Sequence, residues 1–254
     1  MIIRYLHCAL ACVALAAPLS GCTSLGSAVS SVSSVSSALT QGEISSGLKE
    51  ALNLGITAGI NKLSATGGYY NDLAVKIGLP SEASTVITNV SKLPGGQALV
   101  TKVVKNINYA ASDAAGQAIP IFTNALTSMT IDDAKTILTS KTKTAATEYF
   151  KSSTKTPLKK LFSSYIDSSI EKKLVGDVSA KSSWDTMTSQ WNQVASTAVG
   201  KIAGLKTVNT DLGDYLTDKA VDGIYVKVGE KEKEIRTNVS ARSSALLKKV
   251  FAHQ

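Results

Sequence analysis

The most reactive side chain of this sequence stands at the end of an apolar N-terminal run. Residues Leu19-Ser20-Gly21-Cys22 place small side chains directly before a cysteine. This pattern is typical of a lipobox, in which a signal peptidase cuts before the cysteine. The thiol is the only strong nucleophile of the four, so a diacylglycerol group can alkylate it. We expect Cys22 to become the lipidated first residue of the mature protein.

The residues before Cys22 have the features of an export leader. Arg4 supplies a positive charge, and residues 5–17 form an apolar run that suits secretion but is too short to span a bilayer. We predict that residues 1–21 are a cleaved signal peptide and that the lipid tethers the protein to a membrane. Thr23 stands where lipoproteins of the inner membrane commonly carry Asp, and by that resemblance we expect the periplasmic face of the outer membrane.

The positions of the cysteines bear on disulfide formation, and the net charge bears on the choice of partner. All three cysteines (Cys8, Cys12 and Cys22) lie at or before the predicted cut, so the mature chain can form no internal disulfide. The formal charge of +8 favours an anionic envelope component, such as lipid head groups, as partner. The same lysines also serve solubility alone, which is the interpretation we favour. A protein partner stays open, and export argues against nucleic acid.

Catalytic motifs are scarce. His253 is the only histidine after the predicted cut, which removes Ser-His-Asp triads and histidine zinc sites. Phosphate-binding glycine loops are absent as well. We therefore assign no catalytic residue, metal ligand or cofactor. Ser-x-x-Lys occurs four times, about as often as composition alone gives, at Ser46/Lys49, Ser140/Lys143, Ser152/Lys155 and Ser169/Lys172.

The mature chain divides into a tether and a folded domain. Residues 22–42 are rich in serine and predict a flexible tether of roughly 25 Å, with a frayed helix as the alternative because valines recur at a spacing of three. Residues 43–254 predict one helical domain, since every long apolar segment in them has helical spacing. The fold class is therefore all-α, a single-domain multi-helix bundle.

The helices can be placed along this domain. Gly55 and Gly59 on the first helix indicate close approach of a neighbouring helix. Pro120 should kink or split a long Ala-rich helix, and Pro157 should start a new one. The predicted helices span about residues 43–65, 82–93, 97–129, 131–138, 144 to the residue before Pro157, 157–174, 179–202, 211 to beyond 235, and 241–251.

Two apolar stripes and one lysine-rich stretch can be assigned to faces of the later helices. In the helix after Pro157, the residues expected to point inward are Leu158, Leu161, Phe162, Tyr165 and Ile166. A second stripe of Trp184, Met187, Trp191 and Val194 is either an aromatic binding surface or, as we favour, part of the core. Residues 141–173 carry eight lysines, which form either a lipid-facing patch or, as we favour, the solvated side of two helices.

Several short phrases resemble a family of bacterial lipoproteins catalogued as domain of unknown function 4197. The resemblance spans about residues 43–251 and includes Gly67-Gly68-Tyr69-Tyr70-Asn71 and Met129-Thr130-Ile131-Asp132-Asp133-Ala134. It also includes Gly47 to Leu52, Ala145 to Phe150, Glu234 to Asn238 and Leu246 to Phe251. The chain departs from the family at Val239, usually Pro, and at residues 140–143, usually Gly with acids, which argues against a shared acidic or metal site. The resemblance implies an exported helical domain and no known activity.

Polar residues from both ends of the domain form the candidate site. If the first helix packs beside the last ones, Glu50 can meet Arg236 or Arg242, whose guanidinium groups suit a carboxylate. Buried, this cluster is a structural clasp, which we favour; open beside the two tyrosines, it binds an anion such as phosphate or carboxylate. The full set is Lys49, Glu50, Tyr69, Tyr70, Asn71, Arg236, Asn238 and Arg242.

These observations favour a non-catalytic envelope lipoprotein that acts as a binding or scaffolding module. The first alternative is a carrier of an apolar or anionic ligand, which a continuous apolar cavity of several hundred Å³ would support. The second is a histidine-independent hydrolase, which requires a serine hydroxyl beside a buried lysine or a pair of carboxylates.

Overall fold

A capping box starts the first helix of the domain. In the computed structural model the Thr40 side chain accepts a hydrogen bond from the Glu43 amide at 3.1 Å, and the Glu43 carboxylate accepts one from the Thr40 amide at 2.8 Å. These two bonds satisfy amides that have no partner inside the helix. The helix begins at Gln41, two residues before the predicted start, so it takes in the last two residues of the predicted tether.

The structure describes residues 39–92, 94–209 and 211–252, with the side chain of Glu82 left out. Cys22, the leader, nearly all of the predicted tether and His253 lie outside these residues. Every regular element in the described part is helical, which confirms the all-α prediction. The α-helices are α1 Gln41–Ser64, α2 Ser84–Val90, α3 Gly96–Ala115, α4 Ala118–Thr127, α5 Ile131–Thr139, α6 Ala145–Glu171, α7 Ala180–Ser196, α8 Ala198–Ile202, α9 Leu212–Thr237 and α10 Ala245–Val250, and 3-10 turns cover Ser81–Ala83 and Val239–Ala241.

Helix α9 lies at the centre, packed against α1 on one side and α6 on the other. The α1 contact is close because glycines face α9: a Cβ on Gly59 would lie 3.2 Å from the backbone carbon of Lys227. The predicted close approach at the glycine pair is thus confirmed. Ile224 and Tyr225 are buried within α9 in spite of their strand propensity, since packing on two neighbours overrides a weak local preference.

The two prolines behave differently. Pro120 lies in the first turn of α4, where its missing amide costs nothing, and the chain breaks at Gly116 and Gln117 as predicted. The predicted break at Pro157 is wrong, because α6 runs through it. Contacts with α9 before and after Pro157 offset the cost of the proline. The hydroxyls of Thr154 and Tyr225 share a 2.8 Å hydrogen bond, and Lys159 meets Asp218 at 2.7 Å.

Three residues expected in the core are exposed. Leu161 and Tyr165 are 54% and 44% exposed, because one continuous α6 buries the row that includes Phe150, Thr154, Leu158, Phe162 and Ile166 and turns the neighbouring row outward. Val194 is 54% exposed near the end of α7. Trp184, Met187 and Trp191 are buried as core residues, as we favoured.

Residues from Leu39 onward form one compact unit with a continuous hydrophobic core. All helices named above belong to it, so we expect residues 39–254 to fold without the preceding segment. None of the helices in the described ranges combines the length and apolar character that crossing a membrane requires.

Candidate functional site: a polar joint and the groove above it

The end of α9 carries a buried carboxylate that caps another helix. Glu232 is 6% exposed, and its oxygens accept hydrogen bonds from the amides of Ala146 at 2.9 Å and Thr147 at 2.8 Å and from the Thr147 hydroxyl at 2.7 Å. Those amides lie in the first turn of α6, whose own N-cap residue Thr144 makes no side-chain cap. A carboxylate is favoured there because the helix dipole is positive at that end.

Arg236 extends this network to a third helix. One turn after Glu232, its Nε donates to Glu232 Oε1 at 3.0 Å, and its Nη2 donates to the backbone carbonyl of Ile137 at 3.1 Å. Ile137 lies in the last turn of α5, where carbonyls lack the regular i+4 partner. Among the described residues its carbonyl otherwise accepts only a long bond of 3.4 Å from the Ser140 amide. The guanidinium also lies 5.8 Å from the ring centre of Phe251. Arg236 therefore fixes α9 to α5 and to the C-terminal residues.

Arg242 closes the end of α9 itself. The chain turns back after Asn238, and Arg242 donates from Nε to the carbonyl of Ile235 at 3.0 Å and from Nη2 to that of Arg236 at 3.1 Å. All three charged side chains are buried. We call Glu232, Arg236 and Arg242 the three-helix joint, because together they satisfy the free ends of α5, α6 and α9.

A polar groove of about 530 Å³ lies over the joint. The connection from α5 to α6 forms most of its wall, with hydroxyl and ammonium groups. Lys141 and Lys143 are exposed, and neither makes an ion pair with any described residue. The groove is lined by Thr139, Ser140, Lys141, Thr142, Lys143, Arg236 and Thr237.

Some of the other lysines in the predicted basic stretch are paired with acids of α9. Lys155 meets Asp222 at 2.8 Å, and Lys159 meets Asp218 at 2.7 Å. The hydrogen bond to Asp218 raises the pKa of Lys159. These two lysines hold α6 to α9. Lys160 and Lys173 are exposed and, like Lys141 and Lys143, make no ion pair with a described residue, so Lys141 and Lys143 are distinguished by their place on the groove.

The predicted tyrosine cluster lies elsewhere in the molecule. Tyr69 is fully buried, and its hydroxyl donates to the carbonyl of Ala220 at 2.6 Å. Burial raises the pKa of Tyr69. Tyr70 packs its ring edge against Tyr109 and lies under the ammonium of Lys76 at 3.9 Å. Tyr69 thus anchors the loop after α1 to α9.

The remaining predicted residues are separate from the joint. Lys49 donates to the carbonyl of Thr127 at 3.3 Å, Asn71 is exposed, and Asn238 caps the 3-10 turn after α9. No ion pair of the described residues involves Glu50. The clasp that we expected from Glu50 is supplied to Arg236 by Glu232 instead.

The first and last helices do meet, through residues that the sequence did not single out. Lys249 donates to the Glu43 carboxylate at 2.7 Å, and this bond, with those from Thr40, holds the pKa of Glu43 down at about 2. Val250 packs against Gly47, where a Cβ would lie 2.5 Å from it. Arg236 and Arg242 of the joint were among the predicted residues, whereas the sequence signal for Glu232 is its i, i+4 spacing with Arg236.

Among the described residues, no hydrogen bond joins the serine to the lysine of a Ser-x-x-Lys pair. Ser169 donates to Asp113 at 2.7 Å, and Lys172 pairs with that same carboxylate at 2.6 Å. Ser152 donates to a backbone carbonyl of its own helix. Lys227, the one buried lysine of the described chain, is paired with Asp72 at 2.7 Å and with Glu230.

Two other pockets bear on ligand chemistry. The apolar pocket between α1 and α9 measures about 10 Å³, room for a single water molecule at most. An acidic cleft lies where α6 meets the start of α9, and there burial and the neighbouring Asp211 and Glu171 raise the pKa of Asp167. Within the described residues no group of three or more His, Cys, Asp or Glu side chains is placed to hold a metal ion.

Comparison with protein families places the chain. A model of the family described as "Protein of unknown function (DUF4197)" matches residues 38–252. The chain belongs to this family. The match covers the three-helix joint and the ten α-helices of the described residues. Comparisons with curated proteins and with solved structures found no match.

Proposed function

We propose that this member of the DUF4197 family is a lipid-anchored binding module of the cell envelope and that the groove over the three-helix joint holds an anionic group, a phosphate or a carboxylate. The observation that carries the proposal is the placement of Lys141 and Lys143, two ammonium groups without ion-pair partners, on a polar groove of about 530 Å³. Its size lies in the range of small-molecule sites.

Several features favour an anion over an apolar ligand. The groove wall offers hydroxyls that can donate hydrogen bonds to phosphate or carboxylate oxygens. The apolar pocket of about 10 Å³ is far too small for a carried lipid or other apolar ligand. A binding role also agrees with two of the Ser-x-x-Lys pairs, because Ser152 donates to a backbone carbonyl and Ser169 to a carboxylate.

The groove can be tested with residues 39–254 by titration calorimetry or chemical-shift mapping against inorganic phosphate, pyrophosphate and citrate. We expect Lys141→Gln with Lys143→Gln to weaken binding about tenfold, which corresponds to about 1.4 kcal/mol. Lys92→Gln with Lys102→Gln is the matched control, because both residues are exposed and the net charge changes equally. Equal weakening by the two double variants would show that only the overall charge matters and would refute the groove as the anion-binding site.

The anchor is tested separately. We expect Cys22→Ala to block lipidation and the cut that depends on it, because no other residue beside the predicted cut can form the thioether. Mass measurement of the N-terminal peptide and separation of inner from outer membranes give the readout. A variant with the same processed N-terminal mass as the wild type would contradict the assignment.

A further inference from the structure

The short helix α8 exposes aliphatic side chains that take no part in the core. Val199 is 77% exposed and Ile202 is 88% exposed. They are three residues apart, so they lie on the same side of the helix. We call residues 197–206 the α8 tip. A pair of aliphatic side chains projecting side by side is more than the scattered single exposure that any protein surface shows.

Both ends of this helix are firmly capped. The Thr197 side chain accepts from the Gly200 amide at 2.9 Å. At the other end Gly204 has a φ of 72°, its amide donates to the carbonyl of Lys201 at 3.1 Å, and the Leu205 amide donates to that of Gly200 at 2.9 Å. This pair of bonds is a Schellman motif. The tip is therefore built to hold its shape with the two aliphatic side chains outward.

The chain after the tip is fastened to α7. The indole of Trp191 donates to the carbonyl of Lys206 at 2.9 Å. Asn192 exchanges two hydrogen bonds with the backbone of Val208, at 2.8 and 2.9 Å. These contacts hold the chain that follows the tip in place, and the two caps hold α8 itself. Because the tip is already ordered, its binding to another surface costs little conformational entropy.

The charges around the tip have one sign. The sequence has no Asp or Glu between Asp185 and Asp211, whereas Lys201 and Lys206 are both exposed on the tip. Protein interfaces are depleted in lysine and rely on aromatic and arginine anchors. Aliphatic side chains flanked by lysines instead complement an anionic bilayer, with apolar groups below the head groups and ammonium groups at their level.

We propose that the α8 tip is a membrane-docking element that inserts Val199 and Ile202 into the surface of an anionic bilayer, with Lys201 and Lys206 against the lipid phosphates. The contact is weak and reversible, since two aliphatic side chains bury less surface than one acyl chain. It belongs to the folded domain itself and does not depend on lipidation at Cys22 or on the anion groove.

The test is flotation of residues 39–254, which carry no lipid, with vesicles of phosphatidylethanolamine and phosphatidylglycerol. We expect the unmodified domain to bind and Val199→Ser with Ile202→Ser to reduce the partition coefficient at least about tenfold. Leu73→Ser is the matched control, because Leu73 is also 88% exposed. We expect this control to bind like the unmodified domain.

The lysines give an independent readout. Lys201→Gln with Lys206→Gln should weaken binding to the anionic vesicles about tenfold and leave residual binding to pure phosphatidylcholine unchanged. Three results would each overturn the proposal: no binding by the unmodified domain, equal loss in the Leu73 control, or concentration-dependent self-association that the Val199 and Ile202 changes abolish. The last result would identify the tip as a contact between copies of the chain.

Discussion

Glu232→Ala should be among the most destabilising single substitutions in the described domain. It removes the acceptor of four hydrogen bonds, three from α6 and one from Arg236. Arg236 stays only 4% exposed, and removing one partner of a buried ion pair costs about 3–5 kcal/mol. The orphaned amides of α6 bring the loss in unfolding free energy to about 4–6 kcal/mol, a large share of the roughly 5–15 kcal/mol of a typical domain.

Urea unfolding of residues 39–254, followed by circular dichroism, measures this loss. A 4–6 kcal/mol change lowers the midpoint by roughly 2 M at ordinary slopes. Glu232→Gln keeps one acceptor but turns an NH₂ group toward a donor, so we expect it to lower the unfolding free energy by about 2–4 kcal/mol. Glu234→Gln is the matched control: its carboxylate is 46% exposed and meets Lys231 at 2.7 Å, and we expect less than about 1 kcal/mol.

The double variant separates the ion pair from the helix cap. Glu232→Ala with Arg236→Ala removes both charges, so the penalty of a lone buried guanidinium disappears and the two changes should cost less than their sum. Arg236→Lys should lose part of the stability, because an ammonium cannot hold the carboxylate and the α5 carbonyl in a forked geometry. If Glu232→Ala costs no more than its exposed control, the joint does not stabilise the fold and this reasoning is wrong.

Two further predictions concern the contacts of α9. The hydrogen bond from Lys227 lowers the pKa of Asp72 to about 2, so the ionised carboxylate stabilises the fold above about pH 4 and this stabilisation is lost as the pH falls toward 2. Asp72→Asn should therefore lower the unfolding free energy by about 1–2 kcal/mol at pH 7 and by almost nothing near pH 2. Urea unfolding at both pH values measures the difference. Gly223→Ala should cost about 1–3 kcal/mol, because its Cβ would lie 2.6 Å from the Tyr69 ring. Thermal unfolding measures the effect, and Gly42→Ala, with no atom within 4 Å of the added Cβ, should not destabilise.

The sequence was sufficient where structure depends on neighbours along the chain. Thr130 and Asp133 have the three-residue spacing of a capping box, and both of its hydrogen bonds are present at the start of α5. Apolar spacing likewise placed α1 and α9 and identified three of the four α7 residues expected in the core, with Val194 the exception. Such patterns are local, because residues three or four apart share a helix face whatever the rest of the chain does.

The sequence was insufficient where distant residues decide. Pro157 looked like a helix start because the contacts of α6 with α9 cannot be read from local spacing. Glu232 was recognisable only as a partner of Arg236, whereas its bonds to α6 join residues 85 and 86 positions apart. The ion pair that we expected from Glu50 does not form among the described residues, for the same reason. The first helix does approach the last one, but Glu43 and Lys249 make the contact.

The joint also gives the groove its shape, and this link can be separated from stability. Arg236 holds the end of α5 and Glu232 holds the start of α6, so both ends of the connection that carries Lys141 and Lys143 are fixed. The two lysines make no ion pair in the described chain, and their replacement by Gln should change the unfolding free energy by less than about 0.5 kcal/mol.

Glu232→Gln touches neither lysine, yet it loosens one end of the connection. At a temperature where this variant is still fully folded, it should bind phosphate more weakly than the wild type, because the connection must then be ordered on binding. Unchanged phosphate affinity in the folded Glu232→Gln protein would show that the joint supports the fold alone and that the groove does not depend on it.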